Sequence, residues 1–584
     1  MYLDILINIP VEKGRVTCKG IKGITYVYYE LERVYDPVKK YSLPKWMIIG
    51  KRCEDDHSMM YPNGNYLALF PEADLPGSYS HDERSSSQHI GPYIIIQKVI
   101  KEEGLDELLR PVIGKDTGLL LDLAAYSIIT EDNAAQYYPE YAYDHPLFTD
   151  DMKVYSDTKI SEFLSSVTID QRIKFLDAWN NAKDHRQHIY ISYDSTNKNC
   201  QAGDIDMVEL GAAKDNEGKP IFNYSIAYDR DNSEPLFYEE YPGSINDVSQ
   251  LQYMIEKVNG YGYHNIGFIL DRGYFSRENI RCMDNGGYQF IIMCKGMKEL
   301  VSSLVNENKG TFEESRSSYI REYDIYGKTV ESYLYPSDHK KRYFQVYFND
   351  HRCAAEKDQL NERINKMADW LKQQEGTSTA IPDSFKKYFD LVYWHEGKED
   401  QKFSLACERT DVIDQQIRLC GYFVIITSEK MTAKEALILY KSRDASEKLF
   451  RGDKSYLGGQ SLRVYSSESA DTKIFIEFIA LIMRNRIYTL LKEEMARTHR
   501  KLNDMTVPGA IKELEKLEMI RQLNNTYILD HAVSKTQKRI LKAFGMEAPE
   551  IKDELKQISG SLMRSTGGYQ RREADEDGKK NDHD

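Results

Sequence analysis

The chain has 584 residues, is 41% hydrophobic and carries a formal net charge of −14. Such a length accommodates several structural units with buried cores, and the acidic balance argues against a surface basic all over for indiscriminate nucleic-acid binding. The eight cysteines include no C-x-x-C pair, which excludes the usual zinc ribbons and fingers and reads as reduced thiols.

The opening segment MYLDILINIPVEKG lacks a basic flank and a signal-peptide apolar stretch, so a cytoplasmic protein is expected. Residues 1–110 read as a strand-rich region. ITYVYYELERVY (24–35) and KWMIIGKR (45–52) are strand-like, and YPNGNYLALF (61–70) places an Asn-Gly turn before an apolar run. The serines at 85–87 read as a loop. Residues 111–185 form a helical region, with Thr168 or Asp170 as a cap before QRIKFLDAWNNAK.

The pattern changes over 186–300. HIYISYD (188–194) reads as a strand ending at Asp194, followed by MVELGAAKD (207–215), PIFNYSIAYD (220–229) and PLFYEEYPG. NDVSQLQYMIEKVNGYG (246–262) is a helix capped by Asn246 or Asp247 and stopped by Gly260 or Gly262. NIGFILDRG (265–273) is a buried strand ending in Asp271, and a short helix (276–285) precedes the strand YQFIIMCKG. Three strands able to meander antiparallel, then strand–helix alternation, predict an α/β, ribonuclease H-like mixed sheet. No G-x-G-x-x-G, P-loop or G-x-S-x-G is present, so no nucleotide cofactor and no serine hydrolase is expected.

Residues 301–429 read as a β-containing insertion into that core, with a charged helix at about 354–374 and a strand at CGYFVIITS (420–428). The core resumes over 430–500, where Thr432 and Glu435 predict a capping box. The apolar run IFIEFIALIM (474–483) is broken by Glu477 and is too short to span a membrane. Helices are expected over 501–545. The end, 546–584, is expected to be largely disordered, above all the acidic Gly/Lys/Asp-rich part from about 560.

The helix opened by Thr432 carries YKSRDASEKLFRGDK, in which Tyr440, Arg443, Glu447 and Lys454 fall at Y-x2-R-x3-E-x6-K. At 100° per residue these positions share a stripe about 60° wide. Gly452 is a candidate helix stop, so the stripe holds firmly from Tyr440 to Glu447. Asp194 and Asp271 each close an apolar strand. If those strands are neighbours, both carboxylates emerge at one sheet edge and Glu447 can join them from a packed helix. Three hard oxygen donors of this kind suit Mg²⁺ or Mn²⁺, and two such ions suit in-line phosphoryl transfer.

These pieces resemble the bacterial insertion-sequence DDE transposases, in the insertion-sequence-four-like group with the Y-x2-R-x3-E-x6-K signature. The first Asp lies in ISYDST and the second in ILDRGYFS; YPGSIND resembles the family's Gly-Asn-x-x-Asp turn, with Ser244 in place of Asn. GYFVIIT, IIGKR and LSSVTIDQRIKFLDAW match further pieces in order. The resemblance implies that Asp194, Asp271 and Glu447 are the catalytic, metal-binding set, with two Mg²⁺ or Mn²⁺ ions. It implies that Tyr440, Arg443 and Lys454 contact DNA near the cleaved phosphate, and that the helical region at 111–185 helps bind element ends. It also implies binding of terminal inverted repeats, cleavage, joining of 3′-OH ends to target DNA and a dimer on DNA. Trp370 and Trp394 lie where the family holds a distorted DNA end. Basic candidates for backbone contact are 339–344, 484–501 and 535–539; residues 484–545 carry 13 Lys/Arg against 7 Asp/Glu. The alternatives are a same-fold metal-dependent nuclease without strand transfer and an inactive, transposase-derived DNA-binding protein.

Overall fold

The computed structural model describes the chain apart from residues 1, 3–4, 22, 38, 55, 71–83, 201–204, 206, 210–219, 246, 295–297, 395–400, 459–460, 500–501, 523–525 and 579–584. The chain divides into two compact units, residues 1–175 with 453–584, and residues 176–452.

The first unit begins with five antiparallel strands, of which Ile24–Asp36 and Tyr41–Arg52 form a long hairpin. Asn63 and Gly64 make no hairpin turn. Asn63 instead caps the short helix Gly64–Leu69, accepting from the backbone N–H groups of Asn65 and Tyr66. A second small sheet joins distant parts of the chain: Ser87–His89 pairs with Glu518–Arg521, which pairs with Tyr527–Leu529. The serine run thus leads into a strand. Around it lies a helical layer whose central member, Ser467–Thr498, is buried over most of the stretch from Ala470 to Met483. A helix apolar all round belongs inside a protein. Among the described residues no helix is long and apolar enough to cross a membrane. A helix is also present at Ala548–Gly578, where composition predicts little order; Ile551, Ile558 and Leu562 lie on its buried side.

The second unit is built on one mixed sheet. Its strands are β1 (Ile189–Cys200), β2 (Ile221–Asp229), β3 (Glu234–Pro242), β4 (Ile266–Leu270), β5 (Gln289–Met293), β6 (Tyr319–Ile320), β7 (Ile325–Tyr333) and β8 (Lys341–Phe348). Next come β9 (Phe389–Trp394), β10 (Lys402–Glu408) and β11 (Tyr422–Thr427). Across the sheet the order is β6-β7-β8-β11-β5-β4-β1-β2-β3. The first three strands meander antiparallel, whereas β4 and β5 run parallel to β1. Helices α1 (Asp247–Gly260) and α2 (Arg277–Asn285) supply the crossovers that parallel pairing requires. Gly262, just past α1, has φ +85, the left-handed value a helix stop favours.

Two expectations are corrected here. The strand predicted to end at Asp194 continues to Cys200, because the polar run after it pairs with β2 and hides its side chains; Asn197 donates to Asn223 at 2.5 Å and Lys198 is fully buried. MVELGAAKD contributes only the isolated bridge Glu209–Ile221, residues 210–219 lying outside the described residues. The second and third strands of the meander are therefore β2 and β3. Within 301–429, β6 to β8 extend the main sheet through β11. Only β9 and β10, with α3 (Asp350–Gln373) and α4 (Thr410–Leu419), have a separate core, built on Leu360, Ile364, Leu371, Phe389, Phe403 and Ile413.

The sheet's own core at the β4–β5–β11 centre includes Ile269, Ile291, Tyr347 and Ile425. Against it packs α5 (Ala433–Lys441), through Ala436, Leu437, Leu439 and Tyr440. Thr432 and Glu435 form the predicted capping box at its start.

Candidate active site

Parallel register sets the first part of the site. Leu270 pairs with Tyr193, so the next position on each strand places Asp271 beside Asp194. Asp194 lies within β1, while Asp271 follows the last residue of β4 and opens a helical turn, Arg272–Tyr274. The apolar residues before each aspartate anchor the strands; Asp194 is a half-buried position inside the otherwise buried β1, and Asp271 stands just past the buried end of β4.

The third acid arrives from a different kind of element. The helix does not run on from Tyr440 to Glu447. It breaks at Ser442–Arg443, and α6 (Asp444–Tyr456) begins afresh. Ser442 turns its side chain back onto the carbonyl of Leu439 at 2.6 Å, a local bond that competes with helix continuation. Gly452, read as a stop, lies inside α6. The one-helix stripe from Tyr440 to Glu447 is thus replaced by two helices that meet at Arg443. Lys454 lies on α6, beyond the boundary between the two units.

Arg443 gathers the acids. Its Nη1 is 3.6 Å from Asp194 Oδ2 and 3.6 Å from Asp271 Oδ1, and its Nη2 is 2.5 Å from Glu447 Oε1. Asp194 Oδ1 also accepts from the backbone N–H of Ser195. The side chains of Asp194 and Arg443 are 14% and 16% exposed, so their attraction is only partly screened; Glu447, at 45%, is screened far more. Unit charges about 4 Å apart are worth about 4 kcal/mol at the effective dielectric of such sites. One guanidinium thus faces three carboxylates. Burial alone would lower the Arg443 pKa, but Asp271, Tyr440, Asp194 and Glu447 together raise it above the usual arginine value. The guanidinium is therefore permanently charged. Its carbon lies 5.8 Å from the centre of the Tyr440 ring, within cation–π range. Burial, opposed by Arg443 and reinforced by Asp271 and Glu447, pushes the Tyr440 phenol up to about 12. Tyr440 is only 6% exposed and packs in the sheet core, with its ring beside the arginine.

Among the described residues no group of three or more His, Cys, Asp or Glu is already arranged as an ion cage. The acids splay around a cation that the protein itself supplies. As donors they nonetheless fit a hard divalent ion in type and in shared sign of charge.

One residue near the site carried no signature in the sequence reading. Arg272, exposed and directly after Asp271, lowers the Tyr440 pKa through its charge, and its only clue was adjacency in ILDRG. Several basic candidates are engaged internally. Arg342 forms a buried bidentate pair with Asp284. Arg486 pairs with Glu102 and Glu103, Arg497 with Glu494, and Arg539 with Asp504. Trp370 lies against Phe385, whereas Trp394 is 53% exposed on the small β9–β10 sheet.

The model of the family described as "Transposase DDE domain" matches residues 191–483, half of the chain, and spans all three acids. The chain belongs to this family of DDE transposase domains. Among solved structures, this DDE transposase-domain protein is similar to a piggyBac transposase synaptic complex with hairpin DNA determined by cryo-EM. The TM-score is 0.32 and the identity 9%, over 81% of this chain and 76% of that one. No curated protein matches the chain.

Proposed function

We propose that the protein is a DNA transposase of the insertion-sequence-four-like group, working through a ribonuclease H-like core. It would bind the terminal inverted repeats of its element, cleave donor DNA and join the 3′-OH ends to target DNA, as a dimer on DNA. The observation that carries this reading is the gathering of Asp194, Asp271 and Glu447 around one guanidinium, within the span matched by the family model. The meander-then-crossover order of β1 to β5 supports the ribonuclease H-like assignment.

Asp194, Asp271 and Glu447 would hold Mg²⁺ or Mn²⁺, two ions per site. Bound there, such ions activate the attacking oxygen and stabilise the leaving one in an in-line displacement. The chain's own part is positional. The strand register fixes the two aspartates side by side, α6 brings the glutamate, and Arg443 and Lys454 would grip phosphate oxygens near the scissile bond. Tyr440 holds the guanidinium from below.

The experiment is cleavage of an end-containing duplex with Mg²⁺ by the full chain. Asp194→Asn, Asp271→Asn and Glu447→Gln are each expected to lower the rate about a thousandfold or more while leaving duplex binding nearly unchanged. Normal cutting by any one variant would remove that residue from the catalytic set. Joining of pre-cut ends separates a transposase from a nuclease that only cuts.

A further inference from the structure

Arg443 sits where the positive charge of the proposed reaction has to go. It lies against all three acids, and no described trio of acids is arranged to hold an ion unaided. It also stands in the two-residue break between α5 and α6, flanked by helices that can each stay intact while it turns. We propose that Arg443 is a positioning residue that keeps the three carboxylates gathered before a divalent ion arrives, and that the ion displaces it onto a DNA phosphate. This rests on the proposed function above.

The exchange has a clear electrostatic direction. A compact divalent ion offers twice the charge of a guanidinium and satisfies carboxylate oxygens from a single point, whereas the planar fork of arginine comes no closer than 3.6 Å to Asp194 and to Asp271. Once the ion is in place, the guanidinium meets a like charge. It cannot shed its proton, because a guanidinium stays charged in proteins at any ordinary pH. It must find another anion, and planar, bidentate recognition of phosphate is what arginine does best. Ion binding and DNA binding then become linked, each strengthening the other by the same factor. The same arginine would protect the unloaded protein from the mutual repulsion of three acids.

Full-length protein without DNA is titrated with Mn²⁺ alone, free ion being read by electron paramagnetic resonance. The variants are R443Q, R443K, D194N and E447Q. R443Q is expected to bind Mn²⁺ about tenfold tighter than the natural chain, R443K to fall between, and D194N and E447Q to lose the site. A merely structural arginine would weaken binding when removed, so a gain in affinity distinguishes the two roles. In a second arm, a fluorescein-labelled duplex of arbitrary sequence is bound with and without Ca²⁺. Ca²⁺ should raise the affinity of the natural chain about tenfold and leave that of R443Q unchanged. Unchanged or weaker Mn²⁺ binding by R443Q, with D194N still abolishing it and thermal melting still cooperative, overturns the exchange and leaves the site reading standing. Mn²⁺ binding by D194N and E447Q equal to that of the natural chain overturns the site reading, and the exchange with it.

Discussion

Two arginines, one in each unit, are held in opposite ways. Arg84 is 5% exposed and donates to Gln88 Oε1 and to the carbonyl oxygens of His145 and Met152. Its acceptors are uncharged, and burial lowers its pKa despite the nearby Asp122. Asp122, fully buried, accepts from the backbone N–H groups of Phe148 and Thr149, yet burial pushes its pKa up to about 7. That network is held inside the fold, with the Arg84 guanidinium on neutral acceptors and Asp122 on backbone donors. Arg443 faces three anions in a partly open site. The difference teaches how to tell scaffold from chemistry: a buried cation on neutral acceptors holds shape, while a cation set among several carboxylates in a partly open site marks a candidate for chemistry.

The largest effect on this contrast should come from Arg84→Met. It strands three buried acceptors, and loss of their donors should cost on the order of 3 kcal/mol. Chemical denaturation would read this as a lowered midpoint, and R443Q should move the midpoint far less. Equal shifts would erase the distinction. A smaller effect is expected at His145, in the same network. Burial alone would lower its pKa, but Asp144 and Glu515 outweigh it and raise the value from 6.5 to about 9. A raised folded-state pKa means that this contribution to stability is complete below pH 6.5 and fades as pH climbs through about 9. The melting temperature of the natural chain should therefore fall across that window more than that of H145Q, and parallel curves would contradict the assignment. The smallest effect should be Y440F. Phe keeps the ring beneath the guanidinium, so end cleavage should drop by less than about threefold. A large loss would show that the phenol itself takes part.

The parts of this architecture readable in sequence were those governed by local burial. ILD marked Asp271 because an apolar strand stops being apolar where it leaves the core, and ISYD marked Asp194 through the apolar run before it, although that strand stays buried beyond it. Thr432 and Glu435 marked a helix start through a bond pattern contained in four residues. Features that depend on distant partners stayed hidden. STNKNC looks like a loop alone and is a strand because β2 accepts it. That the strands at 319–348 add to β11 is not legible in them, because nothing local reveals the pairing. The break at Ser442–Arg443 escaped because both flanking segments are good helix formers and one side-chain bond decides between them. Arg342 read as a DNA contact until Asp284, fifty-eight positions away, was found beside it.

The two aspartates are mounted on a ladder whose rung spacing, about 4.8 Å between strands, is set by backbone bonds and barely responds to surrounding side chains. Glu447 hangs instead from a lever with its pivot at Ser442–Arg443. The glutamate's place thus answers to where one helix ends and the next begins, and that of the aspartates to the sheet's backbone bonds.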